Sequence, residues 1–140
     1  MKYEIERFNP CEDALEFRKK YKTFRGAWNN CPRGDWMLWI AKRVGIDIRT
    51  LTLAKGYCAK TVIHLMKYQR SKDAVKAAID FGRGKIDEGQ LRNASDAADA
   101  AYAAAYAAYS AAARIKNQKA TADICRKYLT KSVMEKIKSL

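Results

Sequence analysis

Thirteen of the twenty residues at positions 94–113 are alanine, and the only large side chains among them are Tyr102, Tyr106 and Tyr109. Such a segment has few ways to fold. Alanine loses no side-chain entropy in a helix and hides no polar group, so it is the strongest intrinsic helix former. The tyrosines are spaced i, i+4, i+7 and therefore form one stripe along a helix. The alanines allow neighbouring helices to come nearer than the usual ~8–10 Å between axes. The tyrosines add apolar surface and hydroxyls that need polar partners.

The rest of the chain is punctuated in the same helical language. Asn9-Pro10 followed by Glu12 and Asp13 reads as a helix start, with Asn9 as cap and proline at the first helical position. That helix is expected to reach Tyr21, with Ala14, Phe17 and Tyr21 inward and Arg18, Lys19 and Lys22 outward. A helical turn over 25–29 stops at Pro32. Asp35 is expected to cap a helix over 36–44 that ends at Gly45. Asp47 caps the next, in which Leu51, Ala54, Cys58, Val62 and Leu65 repeat at spacings of three and four. A helix over 72–81 ends at Gly82-Arg83-Gly84. Asp87 is expected to cap the alanine-rich helix, which runs to about Ile115, with Asn117 as a break. In the last helix Ala122, Cys125, Leu129, Val133, Ile137 and Leu140 face inward. No segment shows sustained period-two alternation between hairpin turns. The expected fold is all-α: a single domain, 1–140, with six or seven helices bundled around the alanine-rich one.

A chain of 140 residues can bury roughly two-thirds of the surface it exposes when unfolded, so it needs neither disulfides nor metal. Cys11, Cys31, Cys58 and Cys125 form no C-x-x-C pair, and all four read as small buried apolar residues. The charged N-terminus has no signal-peptide core, and no run is long and apolar enough to span a bilayer. A reduced, cytoplasmic location is expected.

The chain carries 28 basic and 15 acidic residues, a net charge of +13. The excess is uneven: residues 1–60 carry +6, 61–113 carry +1 and 114–140 carry +6. A strongly basic folded chain is predisposed to anionic partners. Lys116, Lys127, Lys131 and Lys138 share one sector of the last helix, opposite its apolar stripe, and read first as solvated surface.

No catalytic constellation is recognisable. The chain has one histidine, His64, placed within the helix that Asp47 starts, with no further metal ligands at suitable spacing. Gly82-Arg83-Gly84-Lys85 follows a helix instead of a strand, so it reads as a C-cap and turn, not a phosphate loop. Asp96 and Asp99 are three apart; Asp99 falls near the tyrosine stripe and Asp96 away from it. The densest unusual cluster is Cys31-Pro32-Arg33-Gly34-Asp35-Trp36-Met37-Leu38-Trp39. Its first reading is core anchors plus a cap; its second places Arg33 beside aromatics, where anions or planar rings bind.

The run 33–39, then Lys72-Asp73-Ala74-Val75-Lys76-Ala77-Ala78-Ile79-Asp80-Phe81-Gly82-Arg83-Gly84, then the alanine/tyrosine helix, resembles the immunity protein family, small alanine-rich helical proteins of bacteria and phages. The resemblance covers residues 11–130. It implies an all-helical fold and a role in microbial conflict, and it carries no catalytic set. The chain departs from the acidic character general among proteins that neutralise nuclease toxins.

The resulting expectation is a non-enzymatic protein of bacterial or phage conflict that sequesters an anionic, nucleotide-like small molecule, an immune signal. The residues expected to bind it are Arg33, Trp36, Asp99, Tyr102, Tyr106, Tyr109, Lys127 and Lys131, with no catalytic residue, metal or cofactor. One alternative is an immunity protein that inhibits a toxin or host protein through an acidic surface on that partner. A second is a nucleic-acid-binding protein. The partners expected are thus an anionic small molecule or an acidic protein, with homo-oligomers open and no membrane.

Overall fold

The computed structural model describes residues 5–91 and 94–140, and leaves out the side chains of 94–97 and 101. Those residues form α-helices and short 3-10 turns, with no strand among them. The helices are α1 (Glu12–Lys19), α2 (Phe24–Asn30), α3 (Gly34–Arg43), α4 (Ile48–Lys60), α5 (Gln69–Gly82), α6 (Glu88–Leu91), α7 (Ala94–Ala107) and α8 (Ala111–Lys138). Eight helices among the described residues replace the expected six or seven. None is long and apolar enough to cross a membrane.

Two glycine stops act as expected. Gly45 (φ 85°) and Gly84 (φ 77°) take the left-handed conformation that side chains resist. After α3 the Ile46 N–H returns to the Ala41 carbonyl, and after α5 the Lys85 N–H returns to that of Asp80. Both are the six-to-one closure that satisfies a helix's last carbonyls. Asp47 caps α4, its carboxylate accepting from the Thr50 N–H at 3.1 Å. These hydrogen bonds from Thr50 hold its carboxyl below the usual range.

Several expected boundaries move, each for a local reason. The alanine-rich segment is two helices, not one running to Ile115. Ser110 breaks it by capping α8 through the Ala113 N–H, while Arg114 donates to the Tyr106 and Ala107 carbonyls at the end of α7. A side-chain cap and a cation on orphan carbonyls together outweigh alanine propensity. Asp87 starts α6, where it and Gln90 satisfy each other's backbone N–H groups. Asn117 is no break; it lies buried inside α8.

Other corrections are smaller. Asn9 does not cap α1: it turns left-handed (φ 54°), and the helix starts after Cys11, which is exposed. α1 stops at Lys19, and Arg18 is buried, its guanidinium donating to the Tyr21 carbonyl at 2.9 Å. α4 ends at Lys60, because the Thr61 hydroxyl takes the Cys58 carbonyl at 2.6 Å and the β-branched run 61–63 follows. His64 therefore sits exposed in a 3-10 turn, Ile63–Leu65. α5 begins at Gln69, ahead of Ser71. Leu140 lies past the end of α8 and is exposed.

Packing follows from the small residues. Leu53 and Gly56 of α4 lie against Gly82 and Ile79 of α5, so these helices run antiparallel at close range; a Cβ on Gly56 would sit 2.8 Å from Ile79 Cγ1. A Cβ on Gly34 would sit 2.6 Å from the Cβ of Thr121 on α8. The inward face of α8 is dry: Ala122, Cys125, Leu129 and Val133 are fully buried. They belong to a core shared with α2, α3 and the first part of α4. A second core joins Ala59 and Val62 to α5 and α7.

Gly34→Ala is expected to lose about 1–3 kcal/mol through overpacking, despite alanine's better helix propensity. Gly45→Ala, with nothing within 4 Å of an added Cβ, should lose about 1–2 kcal/mol through backbone strain alone. Urea unfolding of both variants measures these. Among the thiols, Cys11 should react with a disulfide reagent in the native protein, and buried Cys31, Cys58 and Cys125 only after denaturation.

Candidate functional site

α1, α2 and α3, together with the segment from Ile5 to Cys11, enclose a half-open cavity of about 400 Å³. Amphipathic helices that close on one another bury their aromatic faces, and here those faces leave a gap. Phe17 comes from α1, Phe24 and Trp28 from α2, and Trp36 and Trp39 from α3. Phe17 and Trp36 meet at 6.1 Å between ring centroids, tilted by 49°. Trp28 is fixed from behind, its indole N–H donating to Thr130 Oγ1 of α8 at 2.8 Å. Arg126 of α8 donates to the Trp28 and Cys31 carbonyls at the end of α2.

The polar edge of the cavity is Arg33 and Asp35. Asp35 does not cap α3. It lies in the first turn, and its carboxylate receives Arg33 Nε and a terminal nitrogen at 2.9 and 2.7 Å. The fork-to-fork match favours this pairing over a cap. Arg33 also lies over the Trp36 ring, 4.6 Å from its centroid, and the hydrogen bond from Asp35 raises its pKa further. Cys31, in the same lining, is pushed up to about 11 by burial. Its thiol stays protonated near neutrality and is no nucleophile there.

Of the eight expected binding residues, the cavity brings together Arg33 and Trp36. Tyr102 and Asp99 line a separate crevice of about 50 Å³ with Asp35 and Lys55, room for one or two water molecules. Lys55 pairs with Asp99 at 3.3 Å there. Tyr102 donates to Asn117 Oδ1 at 2.6 Å, Asn117 donates to Thr61 Oγ1 at 2.9 Å, and Thr61 donates onward to the Cys58 carbonyl. Burial pushes the Tyr102 phenol well above its ordinary range. Tyr106 stacks on Tyr102 at 5.6 Å and accepts from Gln118 Nε2 at 2.8 Å. Tyr109 packs half-buried against the second core. Lys127 and Lys131 are exposed on α8 and do not border the cavity. The side chain of Asp96 lies outside the described residues.

Phe17, Phe24, Trp28, Trp39 and Cys11 were not among the expected site residues. The available signal was the surplus of large rings in 17–39, more than three short helices can bury. Asn117 was hidden by being read as a break.

Tyr102→Phe should lose about 1–3 kcal/mol, because it strands the buried Asn117 acceptor; Tyr106→Phe, on the more exposed Gln118, should lose less. Thermal unfolding distinguishes them. Stability should also fall in alkali. Cys31 titrates at about 11 when folded against 9.0 ordinarily, so its contribution is complete below pH 9 and disappears as the pH rises from 9 to 11. That contribution is on the order of 2 kcal/mol, and Cys31→Ala should flatten the fall. No family model, no curated protein and no solved structure matches this chain.

Proposed function

We propose that this is a non-enzymatic binding protein that sequesters an anionic small molecule with a planar ring, nucleotide-like in class, in the cavity between α1, α2 and α3. The observation that carries this reading is the cavity itself: about 400 Å³, within the ~300–1,000 Å³ range of small-molecule sites. It is aromatic in its walls and edged by a guanidinium already stacked on a ring. A flat ring enters among Phe17, Trp36 and Trp39, and the charged group stays at the mouth near Arg33. The net charge of +13 draws anions towards it. In the microbial-conflict setting that the family resemblance implies, stoichiometric capture of a nucleotide signal would be the protein's whole activity.

The test is to incubate the protein with a panel of mono-, di- and cyclic oligonucleotides, remove the unbound material, and identify what heat releases. Calorimetry on the hits should show 1:1 binding that weakens at least tenfold in Trp36→Ala and only mildly with salt. Bound ligand should also slow labelling of Cys11, which lines the cavity and is exposed. If no member of the panel binds or protects Cys11, the reading is wrong. A steep loss of affinity with salt would instead indicate contacts to many phosphates.

A further inference from the structure

We propose that the ligand of this cavity presents an oxyanion that takes the place of Asp35 on Arg33, so that Asp35 is an internal competitor which sets the cavity's preference among anions. The proposal rests on the binding reading above and adds the chemistry of the ligand's head group. A carboxylate or a phosphate monoester, with at least two oxygens free, fits it.

Three observations carry it. First, Asp35 holds Arg33 through Nε and a terminal nitrogen, with both carboxylate oxygens engaged. An incoming carboxylate or phosphate makes the same two parallel bonds. Second, both groups line the cavity, and their side chains remain 33% and 54% exposed. Pairs this open are weak, so exchanging one oxyanion for another is nearly balanced, and the ligand's ring decides the outcome. Third, neither partner is left stranded by the exchange. Arg33 keeps its place on the Trp36 ring, which orients the guanidinium whichever anion holds it. Asp35 also lines the neighbouring crevice beside Lys55, so the displaced carboxylate has water on one side and a cation on the other. A neutral ligand gains nothing from the exchange and leaves the Arg33–Asp35 pair intact.

Two fluorescent probes separate the parts: 1-anilinonaphthalene-8-sulfonate, with a ring system and a sulfonate, and N-phenyl-1-naphthylamine, its uncharged counterpart. Asp35→Asn should bind the sulfonate probe up to about fivefold more tightly and the neutral probe unchanged. Arg33→Met should weaken the sulfonate probe about tenfold or more and leave the neutral one alone. In the Arg33→Met background, adding Asp35→Asn should change nothing, because Asp35 acts through Arg33; a gain there would mean simple charge repulsion and overturn the proposal. An unchanged or weaker sulfonate affinity in Asp35→Asn alone would overturn it too. Ala14, half-buried in the lining, tests the cavity separately. Ala14→Trp, or Ala14→Phe should the first unfold, must reduce binding of both probes. If it does and the charge ratio does not respond to Asp35, only the competitor role fails. If neither probe binds the unaltered protein, or filling the cavity affects neither, the binding reading fails with it.

Discussion

The crossing of α3 over α8 at Gly34 and Thr121 sets the geometry of everything at the cavity mouth. With no Cβ at position 34, the start of α3 settles directly on the Thr121 side chain. The Cys125 thiol, one turn further along α8, reaches the Gly34 carbonyl at 3.7 Å. Arg33 and Asp35 flank that glycine and inherit its position. α8 thus serves as the back wall for α2 and α3 together, since Arg126 and Thr130 hold the end of α2 and the Trp28 indole. The cavity is the space that remains when α1 closes over a wall fixed in this way.

Part of the positive charge is structural. Arg18, Arg49, Arg114 and Arg126 each direct a guanidinium at backbone carbonyls at or beyond the end of a helix: α1, α5, α7 and α2 respectively. A planar cation with several donors suits that task, because it offsets the negative end of the helix dipole while filling empty acceptors. A chain with so many short helices has many such ends. The lysines, mostly exposed, are the charges left to act outwards.

Much of the helical architecture was legible because its signals are local. Asp47, Gly45 and Gly84 do what their side chains, or lack of one, dictate. Ala122, Cys125, Leu129 and Val133 keep the spacing that marks an inward face. What was hidden depended on partners distant in sequence. Ser110 is unremarkable until Arg114 sits on the carbonyls before it, and Asn117 looks like a helix breaker until Tyr102 and Thr61 consume its amide. Asp35 looked like a cap because a cap needs only its neighbours; its bond to Arg33 requires a particular rotamer. The binding residues were the least legible. The tyrosine stripe advertises hydroxyls, yet those hydroxyls answer to Asn117 and Gln118, while the larger space opened among rings that seemed destined for the core.

The attachment of α7 has a consequence for how the molecule opens. Its buried alanines, Ala98 and Ala105, offer little apolar area per residue, so α7 relies on directional contacts: Lys55 with Asp99, Tyr102 with Asn117, Gln118 with Tyr106. Contacts of that kind fail together once their geometry is lost, whereas a greasy face slides and recovers. With Ser110 as a ready joint before α8, α7 can peel from α4 and α5 as a unit while the dry face of α8 stays closed. Such a partial opening would expose its amides to exchange at a free energy well below that of global unfolding, making the most helix-prone stretch of the chain one of the first to leave the folded body.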